Sequence, residues 1–316
     1  MLPTASIKHD VTDKLSFGII FEKPFGAEVA YGPSSILFAG TTASADTSSI
    51  TALFRYKFSD RISIHGGPCW QSAEASFGLT GAIYGPFSGY TANMARDQRL
   101  GYVVGAAFEI PEYFLRVALT YSSEIEHSFT TTETSLFGAL VSEVSATTPQ
   151  SINLDFNTGV ASETFIFGGA RWVEWSKLQV APSVLSGTSA SPMVNFNDTG
   201  TYSFGIGRQF SENWTGTAAL IYEPSTSPLT TPLAPTDGFY GLSIGAVYTR
   251  DNQQVHANVV ATRQGDATPF VKDLGTTVTS FSGNSTLGVG FKIVQKFWPS
   301  LTSDRSCCRL ERQPAV

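Results

Sequence analysis

No stretch of this chain approaches the roughly 18 consecutive apolar residues that a membrane-spanning helix needs, yet apolar side chains recur at every second position in about twelve runs of roughly 9 to 12 residues. Between Leu100 and Ile110 the apolar set is Leu100, Tyr102, Val104, Ala106, Phe108 and Ile110. The intervening positions carry Arg99, Gly101, Gly105, Ala107 and Glu109, mostly small or charged. Ile50, Ala52, Phe54, Tyr56 and Phe58 alternate in the same way with Arg55 and Lys57, and Leu115, Val117, Leu119 and Tyr121 with Arg116, Thr120 and Ser122. Later runs repeat the pattern through Tyr202, Phe204 and Ile206, through Tyr240 to Tyr248, and through Leu287, Val289, Phe291 and Ile293. A strand of this length, tilted, crosses a bilayer, and strands survive there only when a closed sheet satisfies every backbone group. The alternation therefore predicts an all-β, transmembrane antiparallel β-barrel.

The connections support this reading. Short polar turns are expected at Ser59-Asp60-Arg61, Pro111-Glu112-Tyr113, Gly159 to Ser162, Ser211-Glu212-Asn213 and Arg250 to Gln253. Long loops are expected at about 26–46, 75–97, 124–149, 176–200, 223–238 and 264–285. The two kinds alternate strictly, as in outer-membrane barrels, where one rim carries short turns and the other long loops. Tyr56, Phe58, Trp214, Tyr222 and Tyr248 fall at strand ends, where interfacial girdles place aromatic rings.

Composition narrows the function. Charged residues make up only 15%, against roughly 25% in soluble domains, while Phe 23, Tyr 11 and Gly 29 suit lipid-facing strands. A net charge of -6 without a Lys/Arg cluster offers nothing to a phosphate backbone, so nucleic acid is excluded as a partner. Cys69, Cys307 and Cys308 do not form a disulfide framework, because their number is odd and two are adjacent. The start Met1-Leu2-Pro3-Thr4 lacks the basic and apolar regions of a secretory signal, which leads us to expect that the natural beginning lies upstream.

Catalytic chemistry is not legible. His9, His65, His127 and His256 are scattered without metal-ligand spacing, and no G-x-S-x-G motif is present. Neither an enzyme, nor a metal site, nor a cofactor is expected. Gly205-Ile206-Gly207 and Gly288-Val289-Gly290 sit inside alternating runs and read as small lumenal side chains rather than nucleotide loops. If the apolar face meets lipid, then Arg55, Lys57, Arg116 and Lys292 face the lumen. Arg55, Arg116 and Lys292 are the candidate ligand-binding residues, since a desolvated cation holds a carboxylate headgroup strongly. The competing reading is that these cations only keep the lumen polar, or pair with acids such as Glu109.

Several segments resemble the long-chain fatty acid transporter (FadL type) family. These are Ala118-Leu119-Thr120-Tyr121-Ser122-Ser123-Glu124, Pro149 to Leu154, Arg171-Trp172-Val173-Glu174-Trp175-Ser176, Tyr202 to Trp214, and Leu233-Ala234-Pro235-Thr236-Asp237-Gly238. The resemblance runs from about residue 14 to 297 and implies a fourteen-stranded barrel with an N-terminal hatch bearing an Asn-Pro-Ala motif. No such motif occurs here, so the hatch and two strands are expected to be missing. The expected organisation is a segment 1–13 belonging to the truncated barrel, the barrel at 14–297, and a tail at 298–316 that lacks alternation and reads like a frameshift or read-through product. The resemblance further implies a monomer in the outer membrane of a Gram-negative bacterium, among outer-membrane lipids and lipopolysaccharide. It would pass long-chain fatty acids or related hydrophobic compounds by diffusion. The alternatives are uptake of aromatic or aliphatic hydrocarbons, and a structural or adhesive barrel.

Overall fold

The computed structural model describes residues 3–186, 194–227, 229–233, 236–271, 276–277 and 279–297. The tail 298–316 with Cys307 and Cys308, and Ala234 and Pro235 of the Leu233 to Gly238 stretch, lie outside the described residues.

One antiparallel sheet of 16 strands dominates. In chain order these are β1 (Ala5–Asp10), β2 (Leu15–Glu22), β3 (Gly26–Ala30), β4 (Thr42–Lys57), β5 (Ile62–Leu79), β6 (Tyr90–Ile110), β7 (Leu115–Ser122) and β8 (Ile125–Ser135). They continue with β9 (Gly138–Thr148), β10 (Ser151–Ala161), β11 (Thr164–Val173), β12 (Thr199–Gln209), β13 (Trp214–Glu223), β14 (Phe239–Arg250), β15 (Gln253–Gln264) and β16 (Ser285–Gln295). All but three follow one another around the wall; β3 adds to the outer part of β4, and β8 and β9 form a hairpin carried by β6. The wall thus has thirteen strands where about twelve were expected, and its first, β1, lies within the segment 1–13. Among the described residues no pairing joins β1 to β16.

The alternation becomes two faces. Leu100, Phe204, Leu220, Ile244 and Phe291 point outward and are exposed, Leu100 to 72% and Phe291 to 77%. Register makes this a continuous band: Leu220 stands opposite Phe204 on one side and Leu242 on the other, and Val259 stands opposite Ile244 and Val289. Aromatic rows bound the band. Tyr202, Tyr222 and Tyr240 are cross-strand neighbours at the long-loop end. At the short-turn end the Trp214 and Tyr248 rings lie 4.9 Å apart, and those of Tyr56 and Phe58 5.1 Å apart. Trp214 and Tyr222 are separated by about 26 Å along the strand at roughly 3.3 Å per residue, close to the roughly 25 Å apolar band of a membrane barrel. No helix among the described residues is long and apolar enough to cross a membrane.

The short turns lie where expected, and all but one have the expected size. β14 and β15 are joined through Asp251 and Asn252, with Asp251 in the left-handed region (φ 49°) that this residue tolerates in tight hairpins. Gly159, Val160 and Ala161 remain in β10, so that turn is shorter than the sequence suggests. Two expected loops are largely strand instead: β5 and β6 run on to Leu79 and from Tyr90, and 125–148 is the β8–β9 hairpin. Alternation persists in both, with Ile125, His127, Phe129, Thr131 and Glu133 buried on one face and polar residues on the other. These extensions, with part of the loop after β11, enclose an apolar core built on Phe77, Leu79, Tyr90, Met94, Phe129 and Val144. It forms a cap over the lumen.

Candidate functional site: the lumen and its cap

The inner face of the wall is polar where the outer face is apolar. Ser49 and Thr51 of β4, Ser63 and Gln71 of β5, and Ser151 of β10 are buried there. Deeper, toward the short turns, Glu109 gathers two of the expected cations. Its Oε1 accepts from Arg55 Nη2 at 2.6 Å and from Arg116 Nε at 3.2 Å, while Arg55 Nε also donates to Ser63 Oγ at 3.1 Å. The cross-strand pairing of Glu109 with Arg116 explains this meeting, because pairing in register places both side chains on one face. Arg55 and Arg116 are therefore brought together, and pairing with Glu109 is the arrangement observed. Lys292 lies apart, on edge strand β16, opposite His256.

Farther along the wall, β11 sends Phe165, Phe167 and Arg171 inward at alternate positions, with Gly169 between. The two phenylalanine rings lie 5.9 Å apart over β12, where a Cβ at Gly207 or Gly205 would overlap the rings of Phe165 and Phe167. The glycines thus do more than keep the lumen small. They let two aromatic rings lie flat against the wall and, with Ala219, form an apolar lumenal patch. Arg171, with Ser49, Thr51, Gln71, Ser122 and Asn153, lines a cavity of about 220 Å³. It has no ion pair among the described residues. Nothing in the residue pattern separates Arg171 from Arg55 or Arg116; only the position of Glu109 does.

One site in the wall is irregular. Thr51 pairs with Cys69 and Phe54 with Gly66, but no pairing joins Ala52 and Leu53 to Pro68 and Gly67. Pro68 has no N–H to donate, and a Cβ on Gly67 would overlap the carbonyl of Ala52. Two rungs of the ladder are missing in the middle of the apolar band.

The cap stands at the long-loop side of the wall. Glu133, fully buried, accepts from Tyr90 Oη at 2.8 Å, from Ser142 Oγ at 2.9 Å and from the backbone N–H groups of Ser183 and Val184 at 2.9 Å each. It thereby fastens the loop after β11 to the β8–β9 hairpin. Burial and the adjoining carboxylate push the Tyr90 phenol up, so it stays a donor. Loops distant in sequence also meet: Tyr31 Oη donates to the Pro232 carbonyl at 2.6 Å, and its ring packs against Phe38 and Phe281. Burial pushes the Tyr31 phenol up to about 12, which keeps that proton in place. Beneath the cap, His127 is fully buried between Asp97 and Gln71. Its inward place in the alternation of β8 is the one signal that the sequence offers for it.

Residues 1–286 match the sequence profile of the outer membrane protein transport protein family (OMPP1/FadL/TodX). The chain belongs to that family. Members of the OMPP1/FadL/TodX family reside in the Gram-negative outer membrane and conduct hydrophobic compounds, and both statements hold for this chain. Comparison with curated proteins gives no match. Among solved structures, the chain is similar to a Pseudomonas aeruginosa FadL homologue, at 16% identity and TM-score 0.70 over 92% of this chain and 75% of that one. It is similar to the Ralstonia pickettii toluene transporter TbuX at 13% identity and TM-score 0.64, covering 93% and 80%. For the P. putida toluene transporter TodX the values are 12%, 0.61, 93% and 88%. At these identities the likeness carries the fold.

Proposed function

We propose that this channel carries long-chain amphiphiles, fatty acids foremost, by diffusion and without chemical change to the cargo. The observation that carries the reading is Arg171, a lumenal guanidinium that lines the cavity and has no acid paired with it among the described residues. Phe167 and Phe165 follow it inward along β11, about 13 and 20 Å away at roughly 3.3 Å per residue. A carboxylate paired with Arg171 leaves its alkyl chain along the two rings. There each buried methylene contributes about 0.8 kcal/mol, so longer chains bind more tightly. Arg55 and Arg116, shared with Glu109, form a second polar station nearer the short turns, and Lys292 a third on the last strand. The protein acts as a monomer, with lipopolysaccharide around its outer rim.

Uptake of monoaromatic hydrocarbons is the second reading, favoured by the Phe165–Phe167 patch, which needs no headgroup anchor. Binding of palmitate and of hexadecane to the refolded full chain separates the two. Fatty-acid carriage predicts that palmitate binds about tenfold more tightly than hexadecane, that Arg171→Ala removes the difference, and that Arg116→Ala leaves most of it. Equal binding of both ligands, with toluene competing, would replace the first reading by the second.

A further inference from the structure

The roof of the cavity is a hydrogen-bonded chain with two self-consistent polarities. His127 Nδ1 lies 3.0 Å from Asp97 Oδ2, and Nε2 lies 3.0 Å from Gln71 Oε1. Gln71 Oε1 also accepts from Thr148 Oγ1 at 2.8 Å, and that hydroxyl lies 3.3 Å from the Ile125 carbonyl. Gln71, Thr148 and Ile125 all line the cavity. The ring is stacked on Phe129 and has no exposure, whereas the Asp97 side chain is 18% exposed.

A histidine with acceptors on both nitrogens carries two protons. Gln71 then turns its oxygen to His127 and Thr148, and its NH₂ remains for the cavity. When His127 holds one proton, on the Asp97 side, its bare Nε2 needs a donor. The Gln71 amide rotated by half a turn supplies it: one N–H goes to Nε2, the other to Thr148 Oγ1, and the hydroxyl proton passes to the Ile125 carbonyl. Every group is satisfied again, and the amide keeps its shape because its oxygen and nitrogen are nearly isosteric. What changes is that the cavity now meets the Gln71 oxygen.

We propose that His127 is a positioning residue whose protonation sets whether Gln71 presents a donor or an acceptor to the cargo, which makes selection of the cargo's polar end dependent on pH. This rests on the cavity being a station for amphiphilic cargo. The charged groups facing the ring are Asp97 of β6 and, bonded to it at 3.0 Å, Arg99. β5 contributes the neutral Gln71, and β9 sets Ala146 opposite His127. Glu143 reaches Ser128 and Thr130 on the other face of the hairpin.

The test uses a cargo that does not titrate. Methyl palmitate, whose ester only accepts hydrogen bonds, and hexadecane are bound to the refolded full chain between pH 4.5 and 8, with folding followed by heat-modifiable gel mobility. The expected result is a severalfold rise in the ester-to-alkane ratio on acidification, flat in His127→Asn and in Gln71→Met. Asp97→Asn removes the charge that favours protonation, so it moves the midpoint to lower pH, an effect that a merely structural role would not produce. An unchanged profile in His127→Asn, or an unmoved midpoint in Asp97→Asn, overturns the inference while leaving fatty-acid carriage intact. Absence of any preference for palmitate over hexadecane in wild type defeats the reading beneath it, and the inference falls with it.

Discussion

β5 and β6 pass through both the wall and the cap, and the interior surface they share changes character on the way. In the wall it is Ser63, His65, Cys69 and Gln71, with the greasy residues outside; in the cap it is Ala73, Phe77 and Leu79, with Tyr90, Ala92 and Met94 opposite. The wall is apolar outside and polar within because its outer solvent is hydrocarbon. The cap is the reverse because its outer solvent is water. The same strand type serves both, and the solvent decides which face is greasy.

β6 carries one irregularity where the change occurs. Ala73 pairs with Asp97 but Ala75 with Met94, so β6 carries one extra residue between these pairs. In the wall the odd-numbered residues of β6 face inward, as Ala107 does, and beyond the bulge the even-numbered Tyr90, Ala92 and Met94 do. The bulge takes up the extra residue, so the inward face passes from odd to even numbers on β6 while β5 stays odd throughout.

Four changes break or sharpen this contrast. The largest effect is expected for Gly67→Val, whose side chain would overlap the Ala52 backbone where the ladder already lacks two rungs; the chain then fails to reach the heat-modifiable folded form. Replacing both Tyr90 and Met94 by alanine strips two large buried side chains from the cap's core without touching the wall. At roughly 1.5–3 kcal/mol per large side chain the cap loses its core, and proteolysis of 125–148 is expected while the wall stays folded. A cation in mid-band comes next: Leu220→Lys costs about 2–4 kcal/mol in a denaturant titration in lipid, whereas Thr130→Lys, on the cap's watery face, stays within about 0.5 kcal/mol.

The smallest effect is that of pH. Burial holds the folded His127 imidazole below its usual range, against the pull of Asp97, so the unfolded chain takes up that proton first. Its contribution to cap stability is complete above the ordinary 6.5 and is lost as pH falls through the window just below. Burial raises the Asp97 carboxyl, but hydrogen bonds from His127 and the Ser128 N–H, together with Arg99, hold it below 3.8 on balance. Its contribution is present above 3.8 and is lost on further acidification. Amide exchange in β8 and β9 should therefore quicken in two steps as pH falls, and His127→Asn should abolish the first.

The wall was legible because lipid imposes an apolar residue at every second position, so Leu100 to Ile110 reads as a strand from its residues alone. The cap was not. Its alternation, from Ile125 to Glu133, is written in Thr, His and Glu, which resemble a polar loop until the loop after β11 is seen to bury them. The bulge in β6 has no residue signature at all. Among the cations, sequence placed Arg55 and Arg116 on the lumenal face and named Glu109 as a partner, but whether a charge is already engaged depends on register across strands. That is why Arg171 was missed.

The account stands on lipid outside, cargo inside and water around the cap. Spin labels on single cysteines, with the native cysteines changed to serine, test it directly at positions 220, 167 and 130 in proteoliposomes. We predict oxygen-dominated relaxation at 220, relaxation at 167 that falls when palmitate is added, and dominance of a water-soluble nickel chelate at 130. Access of the chelate to 220, or a response to palmitate at 220 instead of 167, would contradict it.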